Sequence, residues 1–124
     1  MGTVVQLKNR INNSYSELKN SVEEKLVLVE EKIKLKLSSK VSLVDEMTSY
    51  HLRTGGKRLR ALLTLGTAKI CGYSKGGRDI NLAACVELIH AATLMHDDVI
   101  DNSEIRRGKK TLNSIWGNQS SILV

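Results

Sequence analysis

The amino-acid sequence predicts an all-α fold, and three of its features carry this prediction. Proline, the strongest helix breaker, is absent from the 124 residues. Apolar residues recur at every third or fourth position from Val4 to Leu37, which is the spacing of one helix face. The segment from Lys57 to Cys71 is apolar almost all round, as expected of a helix buried on several sides. A chain of this length forms at most one domain.

The first part of the chain is predicted to contain two helices. One runs from about residue 4 to Leu37, as one long helix or two nearly in line, and breaks at the Ser-Ser pair that follows. Apolar residues between Leu43 and Tyr50 mark a shorter amphipathic helix. This helix is expected to end at the glycine pair Gly55-Gly56, because glycine commonly terminates helices.

Three more helices are expected after the glycine pair. The apolar segment that begins at Lys57 is the third helix, and a glycine-rich turn follows it. Asp79 is a candidate N-cap for a fourth helix from Ile80 to Asn102, because a short carboxylate side chain can accept hydrogen bonds from the first free N–H groups. A final helix is expected to begin near Thr111.

Positive charge is concentrated in two clusters. His51–Arg60 contains four Lys or Arg residues, and Arg106–Lys110 contains four more, within a net charge of +6. A basic surface could bind nucleic acid, an anionic membrane or a phosphorylated small molecule. Aromatic residues, which stack on bases, make up only 3% of the chain, and the basic clusters flank an acidic segment. We therefore expect no nucleic-acid partner.

The cysteines and the apolar segments bear on the cellular compartment. Cys71 and Cys85 are too few for a disulfide framework and lack metal-ligand partners at a recognisable spacing, so we expect buried thiols in a reducing cytosol. No apolar run approaches the roughly 20 residues of a membrane span. The N-terminus MGTVVQLKNR does not resemble a secretory signal. The sequence predicts a soluble, cytoplasmic protein.

The segment LMHDDVIDNSEIRRG places three aspartates near the end of the fourth helix. Asp97 and Asp101 are about 40° apart around a helix axis, and Asp98 is rotated from Asp97 by about 100°. His90 lies on the same side, two turns earlier. The carboxylates would repel one another, and the helix dipole disfavours anions at this end. Mg²⁺ would offset this repulsion, since it binds a few carboxylate oxygens together with substrate phosphates and water.

The basic clusters fit the same chemistry. Arg106 and Arg107 can hold phosphate oxygens bidentately. In GGKRLR, two glycines precede a helix whose first N–H groups attract anions, and Lys57 and Arg60 share a face. Two ordinary explanations stay open for these patterns, namely a solvated acidic helix end with surface arginines and a plain glycine C-cap. The combination indicates an anion pocket facing a metal site.

Three motifs in order, GGKRLR, ELIHAATLMHDDVID and RRGKKT, resemble the trans-type polyprenyl diphosphate synthases, with the long-chain, octaprenyl-type bacterial enzymes as the best match. DDVID corresponds to the family's first aspartate-rich motif, DDxxD. The resemblance implies an antiparallel, all-α bundle of the isoprenoid synthase type, of which residues 1–124 would form the N-terminal part. Ala61 stands where the family usually has proline after the glycine-rich motif, and a helix tolerates this change.

The resemblance also implies a reaction and a set of site residues. Isopentenyl diphosphate would condense with a farnesyl-type allylic diphosphate into a long-chain polyprenyl diphosphate, in a Mg²⁺-dependent reaction. Mg²⁺ would be held by the catalytic residues Asp97 and Asp101, with Asp98 supporting or sharing the ligation. Arg106 would bind the allylic diphosphate, and the isopentenyl diphosphate ligands would be Lys57, Arg60, His90 and Arg107. Ala92, five residues before the first aspartate, would line the floor of the product tunnel and leave room for a long product.

The family's second aspartate-rich motif is absent from this sequence. The chain alone is therefore expected to be an incomplete enzyme, whose site is completed by a homo-oligomer, such as a dimer, or by a partner chain. The alternative is a non-catalytic remnant or regulatory subunit that binds diphosphate without turnover, which the intact DDVID disfavours. A third interpretation, a metal phosphohydrolase using His96 and Asp97, is disfavoured, because only His51 and His90 remain as further histidine ligands. His96 is expected to be structural.

Overall fold

Helices account for most of the protein, as the sequence predicts. A computed structural model describes residues 2–124, and the all-α fold class is confirmed. In chain order, the elements of this described range are α1 (Gly2–Leu37), α2 (Ser42–Thr54), α3 (Leu59–Ile70), α4 (Arg78–Ile100), β1 (Ile105–Arg106), β2 (Lys109–Lys110), α5 (Leu112–Trp116) and α6 (Asn118–Leu123).

The core lies where α1, α3 and α4 pack against one another. The predicted apolar stripe of α1 supplies its part of the core in the second half of the helix, through Val22, Val29 and Ile33. The earlier part of the same stripe is exposed, including Val4 and Ile11. The core side chains contributed by the other two helices are Ala61, Leu62, Leu65, Ala83 and Ala84.

The expectation that α3 is buried on several sides is wrong for the described chain. One face, which includes Leu62 and Leu65, is fully buried, whereas Leu63 is 53% exposed and Ile70 is 88% exposed. The reason is that α1 and α4 both cover the same side of α3. Gly66 lies on this covered face, where an added Cβ would approach Leu18 Cδ1 of α1 to 2.8 Å. Its missing side chain therefore lets α1 and α3 pack closely.

The start of α4 differs from the prediction. Gly77 is the N-cap, and Asp79 lies in the first turn of the helix rather than ahead of it. The Asp79 carboxylate is buried and forms an ion pair with Lys25 of α1. Asp79 is therefore not the N-cap residue, although its Oδ1 does accept the N–H of Ile80 at 2.9 Å, and its ion pair ties the N-terminal end of α4 to α1.

The C-terminal part of the chain also departs from the prediction. The single expected helix is divided into α5 and α6 at Gly117, whose φ of 86° is left-handed. Before them, β1 and β2 form an antiparallel hairpin in which Arg106 pairs with Lys109. Arg107 and Gly108 form its two-residue turn, with φ angles of 53° and 75°, as a type I′ turn requires.

The two thiols were expected to be buried, but both are exposed. Cys71 is exposed at the C-cap of α3, and Cys85 is exposed on α4, about 100° around the helix from the buried Ala84. Across residues 2–124, every helix is too short or too polar to serve as a transmembrane span.

Candidate active site

A cleft of about 630 Å³ lies between the turn that joins α2 to α3, the second half of α4 and the β1–β2 hairpin. This volume is in the range of small-molecule binding sites. In the described part of the chain, six basic side chains line the cleft against two carboxylates, Glu87 and Asp98. The basic residues are Lys57, Arg58, Arg60, Arg106, Arg107 and Lys110. The excess of positive charge makes the cleft suited to an anion of more than one charge.

The turn between α2 and α3 is shaped by a close approach of Arg107. The Arg107 guanidinium donates a hydrogen bond to the carbonyl of Gly55. A Cβ on Gly56 would lie 2.9 Å from Arg107 Nη1, so glycine is needed here to make room for the guanidinium. The glycine pair thus positions the guanidinium of Arg107 beside the N-terminal end of α3.

The sequence pattern predicts that the first N–H groups of α3 are open to an anion, but one of them is already occupied by a side chain. The backbone N–H of Ala61 donates to Glu87 Oε1 at 3.0 Å, and Glu87 is buried. The anion that meets this N–H group is therefore a side chain of α4.

Asp98 faces the cleft and is paired with Arg106. Its carboxylate is buried and accepts hydrogen bonds from Arg106 Nε at 3.0 and 3.1 Å and from Nη2 at 2.7 Å. The hydrogen bond to Asp98 raises the pKa of Arg106 above its ordinary value. This pair fixes the hairpin on the C-terminal end of α4 and holds one guanidinium in the cleft wall.

Asp97 and Asp101 lie outside the cleft wall and are exposed. Asp101 is the C-cap residue of α4. Within residues 2–124, no three His, Cys, Asp or Glu side chains come together as a ready-made metal cage. Two exposed carboxylates one turn apart do fit Mg²⁺, because this ion commonly binds one or two carboxylates and completes its shell with phosphate oxygens and water.

His90 lines the cleft together with Lys57 and Arg60. Burial and then the charge of Arg60 lower the pKa of His90 from its ordinary value. A neutral imidazole can donate one hydrogen bond and accept another. Ala92, the predicted tunnel residue, is half-buried on α4 and lies outside the residues that line the cleft.

Four cleft residues with acidic or basic side chains received no role from the sequence. His51 lines the cleft, and burial followed by the charge of Arg58 lowers its pKa. Arg58, Glu87 and Lys110 complete this group. Arg58 lies inside the GGKRLR motif. Its position between two predicted ligands could have indicated that it belongs to the site. Glu87 precedes His90 by one turn, but its contact with α3 spans 26 residues and leaves no local pattern.

This chain is similar to several known prenyl diphosphate synthases. The sequence profile described as polyprenyl synthetase matches residues 41–124. Octaprenyl diphosphate synthase from Escherichia coli (strain K12) is 44% identical over 88 residues, which cover 71% of this chain and 27% of that protein. Heptaprenyl diphosphate synthase component 2 from Geobacillus stearothermophilus is 37% identical over 94 residues, covering 76% of this chain and 29% of that protein.

A solved structure agrees with these sequence matches. The crystal structure of polyprenyl synthase from Caulobacter crescentus CB15, complexed with calcium and isoprenyl diphosphate, has a TM-score of 0.84 and 38% sequence identity. The match covers 88% of this chain and 33% of that one. The chain thus spans between 27% and 33% of the length of these relatives.

Proposed function

The chain belongs to the polyprenyl synthetase family, as its three motifs predict, and on this premise we propose that its site serves prenyl transfer. Isopentenyl diphosphate condenses with a farnesyl-type allylic diphosphate, and a long-chain polyprenyl diphosphate is released. Residues 1–124 form the N-terminal part of the helical domain that carries this site. The observation that carries the proposal is the basic cleft, which collects side chains from all three motifs.

The isopentenyl diphosphate side of the site is formed by residues that line one cleft. Arg107 and the α3 cations provide charge-assisted hydrogen bonds to phosphate oxygens. His90 stands across the cleft on α4 and adds a neutral hydrogen-bonding group. The proposed ligands are Lys57, Arg60, His90 and Arg107.

The allylic side is organised around the C-terminal end of α4. Asp98 holds Arg106, whose guanidinium binds the allylic diphosphate. Asp97 and Asp101 would hold Mg²⁺, with Asp98 supporting them from the cleft wall. When bound, Mg²⁺ supplies positive charge that stabilises the departing diphosphate. The relative solved with calcium and isoprenyl diphosphate supports a divalent cation and a diphosphate as ligands of this fold.

Two finer features belong to the same proposal. The small side chain of Ala92 leaves space for a growing chain and favours an octaprenyl-type product. The site is completed by a homo-oligomer, such as a dimer, or by a partner chain. The name of the Geobacillus relative, component 2, supports the second arrangement.

The proposal is tested by titrating isopentenyl diphosphate into the chain and into the Lys57→Ala and Arg60→Ala variants by calorimetry. We expect binding to the unmodified chain and a loss of about tenfold or more in each variant, because each removes a charge-assisted hydrogen bond. Lys75→Ala, which removes an equal charge from an exposed lysine outside the cleft, is the matched control. The absence of binding, or equal losses in the control, would contradict the proposal.

A further inference from the structure

Arg58 has a backbone conformation that a non-glycine residue rarely adopts. Its φ and ψ angles are 50° and 36°, in the left-handed region, at the N-cap of α3. Such a conformation persists only where surrounding contacts hold it. The residue stands between Lys57 and Arg60, two proposed diphosphate ligands, so these contacts also determine where the two ligands point.

Contacts from two different helices hold the Arg58 side chain. Its Nε and Nη2 donate to the carboxylate of Glu30 on α1, the second of these at 3.3 Å. Its Nη1 lies 3.9 Å from Glu87 Oε2 on α4. The Arg58 side chain is 18% exposed and that of Glu87 is 7% exposed, so this second pair is largely shielded from water.

Glu87 contacts the turn through both of its oxygens. While Oε2 faces Arg58, Oε1 accepts the N–H of Ala61 in the first turn of α3. A carboxylate at the N-terminal end of a helix is favoured by the helix dipole and satisfies a free N–H group. One side chain of α4 therefore hydrogen-bonds the first turn of α3 and pairs with the strained N-cap residue, which Glu30 of α1 also holds.

Glu87 is also one turn before His90, so the two side chains leave α4 on the same side. Both line the basic cleft. From these contacts we propose that Arg58 and Glu87 are positioning residues: their ion pair holds the turn carrying Lys57 and Arg60 at a fixed place opposite His90. The ligand named in the test, isopentenyl diphosphate, rests on the proposed function.

The direction in which diphosphate affinity changes when Glu87 is removed distinguishes a positioning role from a purely electrostatic one. Glu87 is an anion in the wall of an anion-binding cleft, so its charge alone opposes diphosphate binding. Removing that charge would tighten binding if Glu87 had no positioning role. If Glu87 positions the turn, its removal weakens binding although the cleft becomes more positive.

The chain offers a matched control in another ion pair. Lys25 and Asp79 also join α1 to α4, and the Asp79 side chain is 1% exposed. Both residues lie outside the lining of the basic cleft. Asp79→Asn therefore breaks a buried interhelical pair without touching the turn between α2 and α3.

Calorimetric titration of isopentenyl diphosphate is performed on the chain, Glu87→Ala, Glu87→Gln, Arg58→Ala and Asp79→Asn, with thermal unfolding of each. We expect Glu87→Ala and Arg58→Ala to bind about ten- to a hundredfold more weakly, the loss typical of a misplaced site. Glu87→Gln is expected to lie between Glu87→Ala and the unmodified chain, because its amide oxygen still accepts the Ala61 N–H. Asp79→Asn is expected to lower the unfolding temperature and leave the affinity unchanged.

Each outcome decides the proposal. Unchanged or tighter binding by Glu87→Ala, with the unmodified chain binding normally, would overturn the positioning role and leave the proposed function standing. If the unmodified chain fails to bind isopentenyl diphosphate, the proposed function fails instead. In that case amide hydrogen exchange tests the contact itself. If the Ala61 amide exchanges about tenfold or more faster in Glu87→Ala, the positioning role of Glu87 is supported. Unchanged exchange overturns it.

Discussion

Asp98 and Arg106 form a two-pronged ion pair that joins the end of α4 to the hairpin, with contacts of 2.7, 3.0 and 3.1 Å. The side chains are unequally exposed, at 8% for Asp98 and 38% for Arg106. The pair thus consists of a buried anion and a cation that still reaches solvent. Because of this difference in exposure, the loss of stability should depend on which member of the pair is removed.

Removal of the cation is expected to cost more than removal of the anion. Arg106→Ala leaves the buried carboxylate of Asp98 without its partner, and we expect a loss of about 2–3 kcal/mol in the free energy of unfolding. Asp98→Asn leaves a half-exposed guanidinium that water can solvate, and we expect a loss of about 1 kcal/mol. Urea unfolding of both variants measures the difference. Equal losses, or a larger loss in Asp98→Asn, would be inconsistent with the pair as described.

The stability of the protein is expected to depend on pH through His51. Burial, then Arg58, Arg107 and Arg106, lower the pKa of His51 from 6.5, while Asp98 acts in the opposite direction. As the pH falls below 6.5, the unfolded chain takes up a proton before the folded chain does, so the free energy of unfolding decreases.

The measurement is urea unfolding at about pH 7.5 and about pH 5.5 for the chain and for His51→Gln. We expect the chain to lose more stability than the variant between the two values, since glutamine cannot be protonated in this range. The His90 contribution has the same direction and is present in both proteins, so it cancels in the comparison. A variant with the same pH dependence as the chain would rule out a lowered His51 pKa.

Gly56→Ala is expected to damage binding more than folding. The added Cβ would lie 2.9 Å from Arg107 Nη1, the far end of a flexible side chain, which can move away. We therefore expect a stability change of less than about 1 kcal/mol but isopentenyl diphosphate binding about tenfold weaker, because Arg107 leaves its place in the cleft.

Gly77→Ala is the matched control for this substitution. An added Cβ there meets nothing within 4 Å, and φ is −116°, which alanine adopts readily. Calorimetry and urea unfolding are compared for the two variants. If both retain full affinity, Arg107 is not a ligand held by the close approach at Gly56.

Asp97→Asn and Asp101→Asn are expected to abolish the effect of Mg²⁺ on binding of the allylic diphosphate. In the chain, Mg²⁺ should strengthen farnesyl diphosphate binding by about tenfold or more, because an ion held by Asp97 and Asp101 would supply positive charge that attracts the diphosphate. Glu104→Gln removes an exposed carboxylate from the nearby segment and is the control. Titrations with and without Mg²⁺ test this, and a Mg²⁺ effect that survives in both aspartate variants would exclude them as its ligands.

The sequence was sufficient to predict the helices whose apolar residues recur at a regular spacing. The apolar steps of α1, with Val22, Val29 and Ile33 at their centre, are long enough to distinguish a helix from a strand. The glycine pair marked the end of α2 because helices rarely continue through two glycines. By contrast, the hairpin has strands of two residues, too short for any period, and its type I′ turn begins with Arg107 rather than the usual Asn or Asp.

For the site, the sequence supplied candidate ligands but not the contacts that support them. Lys57, Arg60 and His90 could be named because they lie within short motifs, and the structure places all three at one cleft. The Arg58–Glu87 contact could not be read from the sequence, because it depends on how α3 packs against α4. The exposure of Cys85 likewise depends on which side of α4 its neighbours cover.

Binding of diphosphate by the basic cleft can be observed residue by residue in a nuclear magnetic resonance titration. Isopentenyl diphosphate is added to the ¹⁵N-labelled chain, and the shifts of the backbone amides are followed residue by residue. We expect the largest changes on residues 55–60, around His90 and on residues 106–110, with little change at the Lys25–Asp79 end of α4. Changes concentrated elsewhere, or an unaltered spectrum at saturating ligand, would contradict this expectation.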